Sequence, residues 1–239
     1  MSTPTRLEWK EIFSDCSPNA GTFPCSLAVE SRKALGAIAF TASYPEGTIL
    51  FTEEEAPRGV FIVLKGRVKI SMTSAEGKTV ILRIAKAGEV VGLHAVVVGE
   101  PYQAAAETLE LSQVSFVKRE AFLSFLREHP EAALQAARQL GLDYHMACEQ
   151  VRALGLLHSA PKKLAGFLLE WSSAGQSAKD GVRAKLTLTH EEIGQMIGAS
   201  RETVTRTLSD FRSQHLVMLK GSTLVIPNRA ALEHFAQVY

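Results

Sequence analysis

Residues 188–211 read LTHEEIGQMIGASRETVTRTLSDF, and their periodicity decides how the C-terminal third of the chain is built. Thr189 followed three residues later by Glu192 has the form of a capping box, and Ile193, Met196 and Ile197 then fall on one helical face. Gly198 ends that helix. Ser200 stands at the N-cap of a second one, whose Val204, Leu208 and Phe211 recur at steps of four and three and form its buried stripe. The outward face is left to Arg201, Glu202, Thr205 and Arg206. Two short amphipathic helices joined by a glycine turn make a helix-turn-helix, in which the first turns of the second helix enter the DNA major groove. There Arg can take guanine O6 and N7 together and Glu can accept from cytosine N4. An ordinary helical hairpin with a solvated charged face carries the same pattern. The next stretch of chain favours DNA binding: residues 216–226, LVMLKGSTLVI, are two β-prone runs around Lys220, Gly221 and Ser222. Such a hairpin completes a winged helix, with Lys220 at the wing tip facing phosphate.

With 239 residues, 46% of them hydrophobic and 21% charged, the chain can bury two modest cores. Its best apolar stretch, residues 90–98, is short and interrupted by Gly92 and His94, so no membrane partner is expected. The opening MSTPTRLEWKEIF lacks the apolar centre of a secretory signal, which makes the cytoplasm the expected location. Cys16, Cys25 and Cys148 are an odd count without a close pair, which argues against a disulfide framework and against a four-cysteine zinc site. Neither a metal nor a cofactor is expected. The net charge of +1 hides an asymmetry: residues 158–239 hold 10 Lys or Arg against 7 Asp or Glu, and residues 1–157 hold 16 against 18. The C-terminal bias favours nucleic acid but is small, so affinity must come from placement and from two copies of the domain.

The chain divides into four segments, and the fold class expected is α+β. Residues 1–25 form a loop-rich extension with Pro18, Gly21 and Pro24 and a short helix near Leu7 to Phe13. Residues 26–129 form an antiparallel β-domain. A helix from about 26 to 39 leads it, and from Tyr44 onward the runs TILF, VFIVLKG, RVKISM, TVILRIA, EVVG, QAAAETL and LSQVSFV are separated by turn residues, as in a barrel or sandwich. Helix resumes at Lys118 and continues through Pro130. Residues 130–158 form a long helix in which Ala133, Ala137, Leu140, Tyr144, Ala147, Val151 and Leu154 are spaced 4, 3, 4, 3, 4, 3, the seam of a coiled-coil dimer. Leu134, Leu142, Met146 and Leu156 are then left to cover the β-domain. A helix lying only on its own β-domain is the alternative. Residues 159–239 form the winged helix-turn-helix, with Pro161 at a hinge or helix start. Leu164, Phe167, Leu168 and Trp171 make the face of a supporting helix, and residues 172–181 a polar loop.

Taken in order, YPEGTILF, GVFIVLKGRVKI, GEVVG and IGQMIGASRETVTRTL make the chain resemble the Crp/Fnr regulators over nearly all of residues 30–235. The resemblance implies an N-terminal β-roll of the cyclic-nucleotide-binding, jelly-roll type, a central dimerisation helix and a winged helix-turn-helix. It implies a homodimeric transcription factor on double-stranded DNA, reading a near-palindromic TGTGA-like site with half-sites roughly 34 Å apart, and RNA polymerase as a further partner. Thr189, Ser200, Arg201, Glu202, Thr205, Arg206 and Lys220 are the implied DNA-binding set. Arg201, Glu202 and Arg206 take the base-reading positions, and Thr205 stands where the cyclic-AMP-binding members have glycine.

The effector is not implied in the same way. Where cyclic-nucleotide members hold the ribose and phosphate with Glu, Arg-Ser and Thr-Ser, this chain has Leu93, Gln103, Ala104, Ala147 and Cys148. A buried phosphate without the arginine is expensive, so cyclic AMP is not expected to bind. The interior either admits an uncharged organic ligand or is filled by Leu93 and its neighbours. Cys16 and Cys25 are too few for the iron–sulphur cluster of other relatives. His94 stands near the haem histidine of the carbon-monoxide-sensing relatives, but Gly92 replaces their accompanying cysteine. Cys148, near the dimer seam, is a candidate redox thiol. No nucleophile–base pair, metal motif or phosphate loop marks an enzyme, and Glu53 to Glu55 reads as a solvated turn. A small-molecule-binding module without DNA activity is the competing function, and it leaves the C-terminal domain idle.

Overall fold

Short apolar runs separated by turn residues have few ways to bury their backbone other than by pairing with one another, and the first half of the chain does so. The computed structural model describes residues 22–155, 159–178 and 181–237. The expected helix near Leu7 to Phe13, Cys16 and Leu156 lie outside them. A helix α1 (Val29–Ile38) leads into β1 (Ala39–Tyr44), β2 (Ile49–Phe51), β3 (Gly59–Lys65), β4 (Val68–Thr73), β5 (Thr79–Ala85) and β6 (Val90–Val91). A short α2 (Leu93–Val98) is followed by β7 (Ala105–Thr108), β8 (Ser112–Lys118), α3 (Arg119–Glu128) and α4 (Pro130–Gly155). The strands form two antiparallel sheets, in the orders β1-β8-β3-β6 and β2-β7-β4-β5.

Strand β1 begins directly after α1, nine residues before TILF, the first strand expected from the sequence. It lies at a sheet edge and pairs only with β8, and its side chains show no clean alternation of buried and exposed positions, so no period-2 signal announced it. A single helix through Pro130 was also expected. The structure breaks it at His129, whose φ of −126° and ψ of 83° are non-helical, because proline's ring disfavours the α-conformation in the residue before it.

Helix α4 divides its surface differently from the expectation. Ala132, Ala136 and Gln139 are buried, and Leu140 packs on the core that also contains Leu35, Ile62, Leu64, Val90, Leu93, Phe122 and Phe125. Leu140 therefore covers its own β-domain, whereas Leu134 and Leu142, expected to do so, are more than half exposed. From the expected seam, Ala137, Tyr144, Ala147 and Val151 are exposed, and Ala133 and Leu154 are half-buried. The helix covers the strands with the 132/136/139/140 face, and the stripe carrying Leu134, Ala137, Gly141, Tyr144, Cys148 and Val151 is left outward.

The C-terminal half contains α5 (Ala160–Trp171), β9 (Gln176–Ala178), β10 (Gly181–Lys185), α6 (His190–Ile197), α7 (Arg201–Ser213), β11 (Met218–Lys220), β12 (Thr223–Ile226) and α8 (Arg229–Gln237). Its strands make a sheet in the order β11-β12-β10-β9. The segment expected to be a polar loop, residues 172–181, thus holds β9 and the start of β10. QSA at an edge has no apolar alternation to mark it as a strand. Two compact units meet between Ala147 and Cys148, inside α4 rather than at either of its ends. Cys25 is buried and disulfide-bonded, which corrects the expectation that the odd cysteine count leaves no pair, and Cys148 is free and exposed. No helix of the described residues is long and apolar enough to cross a membrane.

One close approach in the β-domain is testable. A Cβ on Gly59 would lie 2.1 Å from the Val117 carbonyl oxygen and 2.6 Å from the Phe116 ring. Gly59→Ala is expected to lower stability by about 1–3 kcal/mol, as overpacking does, read as a fall in the denaturant midpoint. An unchanged midpoint would show that β3 and β8 can separate freely.

Candidate functional site

Helix α6 starts where its capping box fixes it. Thr189 Oγ1 accepts from the Glu192 N–H at 3.1 Å, and the Glu192 carboxylate accepts from the Thr189 N–H at 2.8 Å. It stops at Gly198, which adopts the left-handed conformation at φ 66° that a side chain would strain. Two residues later Ser200 Oγ accepts from the Thr203 N–H at 3.2 Å and starts α7. Val204, Leu208 and Phe211 are buried, as are Ile193 and Ile197 of α6 and Leu164 and Leu168 of α5, and Phe211 meets Phe235 of α8 edge-on at 5.1 Å.

Burial of that stripe leaves the opposite side of α7 to water. Arg201, Glu202, Thr205, Arg206, Ser209 and Asp210 line one open surface there. Among the described residues neither Arg201 nor Arg206 enters an ion pair, so both guanidinium forks are available. The Glu202 carboxyl is held below the ordinary range by its own backbone N–H and the Ser200 hydroxyl, with Arg201 nearby. It is therefore an ionised acceptor at neutral pH. The Thr205 hydroxyl lies 2.9 Å from the Arg201 carbonyl and 2.8 Å from His190 Nδ1 on α6. Lys220 is exposed at the end of β11, across from Thr223 and beside the turn at Gly221. Fixed donors and acceptors on one exposed helical face, with a cation on a neighbouring hairpin, suit base edges and phosphate.

The residues expected to mark a second site differ in exposure. Leu93 and Ala104 are buried, Gly92 is half-buried, and Gln103, Ala147 and Cys148 are exposed. His94 is exposed on α2 rather than turned inward. The space between the sheets is occupied by aromatic side chains. Tyr102 stacks on Phe51 with ring centroids 4.0 Å apart, and Phe61 tilts against Phe51 and Phe116 at 5.5 and 5.0 Å. The Tyr102 hydroxyl donates to the Gly59 carbonyl at 2.6 Å and accepts from the Gly59 N–H at 3.2 Å. Burial raises its pKa, so it keeps its proton.

Sequence reasoning missed one inward cation. Arg83 lies opposite Ile70 on the face that carries Val68 and Ala85, and it pairs with Glu89 and, at 3.2 Å, with Asp143 of α4. Buried Gln139 donates to the same Asp143 carboxylate at 2.9 Å. The register slips at Ile70/Ser71, so two consecutive β4 residues pair with Arg83 and Ile81 rather than with adjacent ones. A bulge of this kind reverses which residues face inward. Counting along TVILRIA alone could not have oriented Arg83. Among the described residues no His, Cys, Asp and Glu group is arranged to hold a metal ion.

Comparison with known proteins covers both units. Residues 41–129 match the family model for the cyclic nucleotide-binding domain, and residues 162–235 match that for the Crp-like helix-turn-helix domain. A CRP-like cAMP-activated global transcriptional regulator of Mycobacterium tuberculosis is 27% identical over 195 residues, which cover 81% of this chain and 87% of that protein. A global nitrogen regulator of Synechocystis is 28% identical over 190 residues, covering 77% and 83%. Among solved structures, FixK2 of Bradyrhizobium japonicum superposes with a TM-score of 0.74 at 24% identity, covering 84% of this chain and 99% of that one.

The Asp143 cluster makes a pH prediction. Burial raises the Asp143 pKa above its ordinary 3.8, against the opposing pull of Arg83 and of the hydrogen bond from Gln139. The folded state thus prefers the protonated acid more than the unfolded state does. Its contribution is full below the ordinary value and is lost as pH rises through the raised one. Relative to Asp143→Asn, the melting temperature of the wild type is expected to fall as pH climbs upward from 3.8. Parallel curves for the two proteins across that window would refute the assignment.

Proposed function

We propose, from the premise that the chain belongs to the Crp/Fnr family of DNA-binding transcriptional regulators, that it acts as a homodimer reading a near-palindromic, TGTGA-like site. The family regulates transcription and is not enzymatic. The observation that carries the reading is the outward face of α7, where Arg201 and Arg206 flank an ionised Glu202 and, among the described residues, neither guanidinium enters an ion pair. Thr189 and Ser200 contribute by starting α6 and α7 where backbone N–H groups can meet phosphate, and Lys220 by reaching the sugar–phosphate backbone from the hairpin.

The outward stripe of α4 supports the dimer. Tyr144 is 73% and Val151 72% exposed, and these sit with Leu134, Ala137, Gly141 and Cys148 at alternating three- and four-residue steps. A second copy of the same helix related by a two-fold axis would cover that stripe and present two α7 helices at once. RNA polymerase is a further partner on this reading.

For the β-roll, the function proposed is a sensor domain that does not take cyclic AMP. Gln103 and Ala104 provide no charge for the phosphate. Arg83, the inward cation, is already matched by two carboxylates, Glu89 and Asp143. A phosphate placed there would meet a cluster carrying an excess of negative charge. Phe51, Phe61 and Tyr102 pack in the core between the sheets. The curated relatives do not choose an effector for this chain, since one is named for cAMP activation and another for nitrogen regulation.

Selection of bound sequences from a random DNA pool is expected to return inverted repeats, one half-site for each recognition helix. Arg206→Ala should then cost about 1–3 kcal/mol and relax discrimination at one base pair per half-site. A uniform loss with unchanged sequence preference would exclude Arg206 from base reading. Millimolar cyclic AMP is expected to leave the melting curve of the wild type unmoved, and a saturable upward shift would overturn that part of the proposal.

A further inference from the structure

The hydrogen bonds of Thr205 assign its role in recognition. A hydroxyl has one proton, and geometry places two partners on Thr205 Oγ1: the Arg201 carbonyl at 2.9 Å and His190 Nδ1 at 2.8 Å. A carbonyl can only accept, so the proton goes to Arg201, in the backbone pairing that mid-helix threonines often make. The hydroxyl then accepts from Nδ1–H of His190, which sets that imidazole's tautomer. Both bonds lie within the protein, one along α7 and the other to the first residue of α6. Thr205 is nevertheless exposed, on the same open surface as Arg201, Glu202 and Arg206. With its proton and one lone pair committed, it has no donor left for a groove, and its apolar group is the Cγ2 methyl.

We propose that Thr205 reads a thymine through methyl–methyl contact, and that His190 is the positioning residue that holds it in the rotamer that does so. The inference rests on the DNA-binding function proposed for α7. The thymine C5-methyl is an apolar mark in the major groove that distinguishes T·A from the other pairs, and a threonine methyl is a suitable partner for it. Arg206 and Glu202, respectively one residue after and three before Thr205 on α7, place that thymine next to the base pairs they read. The pair also constrains the protein: a hydroxyl turned outward would offer a donor and acceptor of no fixed sense, whereas the two bonds leave no donor at this position.

The test uses the intact protein and the sequence it selects. Each thymine of the half-site is replaced in turn by deoxyuracil, symmetrically in both halves, which removes one methyl and leaves every hydrogen-bonding group in place. For the wild type, one thymine position is expected to lose affinity by about fourfold per half-site, the scale of one buried methyl, with the others unchanged. Thr205→Ser keeps the hydroxyl and removes the methyl, and it should bind the thymine and uracil sites equally. His190→Ala should bind the site but lose most of the discrimination, and His190→Asn, whose amide N–H can replace Nδ1–H, should restore it. A wild type that binds its selected site yet is indifferent to uracil at every position overturns this inference while leaving the DNA-binding reading intact. So does a Thr205→Ser protein that still prefers thymine, and discrimination untouched in His190→Ala removes the role given to His190. Failure to select any sequence would instead defeat the reading on which the inference rests.

Discussion

The amphipathic constraint on α7 governs the C-terminal unit. Val204, Leu208 and Phe211 are buried, each worth about 1.5–3 kcal/mol on leaving water, and they can be buried together only if the helix is rotated so that Arg201, Glu202, Thr205 and Arg206 face out. Packing thus fixes the direction of side chains that make no packing contribution. Ser200 and Gly198 set where the helix begins, and Ile193 and Ile197 provide the surface on which it rests. A change in any of these would turn the outward face before it altered a single residue on it.

The β-roll solves a different problem with a different interior. Stacked and tilted aromatic rings pack between its sheets, and the inward Arg83 is balanced by carboxylates from the β5–β6 turn and from α4. A buried guanidinium is tolerated only when its charge is met, and Glu89, Asp143 and Gln139 meet it together. Because Asp143 belongs to α4, the cluster also couples the strands to the helix whose far side carries the exposed stripe. The covering face and the exposed face of α4 are therefore set by the same packing event.

Much of the recognition unit was legible because its signals are local. Capping box, glycine stop, N-cap serine and three-to-four spacing each involve residues within one or two helical turns, and each is found in the structure at the expected position. The elements that were missed lack local signals. β1 and β9 are short edge strands without alternation, and the break at His129 depends on the proline after it rather than on its own propensity. On α4, Leu140 traded faces with Leu134 and Leu142 for a related reason. A run of small and apolar residues fits two helical stripes about equally, and only contact with the strands decides which is covered.

The sequence by itself determined the helix-turn-helix, most of the strands and the long helix. These follow from composition and spacing along the chain. The tertiary structure alone decided that Leu140 faces the strands while Leu134 and Leu142 face out, that a bulge turns Arg83 inward to Asp143, and that His190 occupies the hydroxyl of Thr205. Each of these joins groups well apart in sequence, and their meeting depends on strand register and helix rotation, quantities that no local pattern contains.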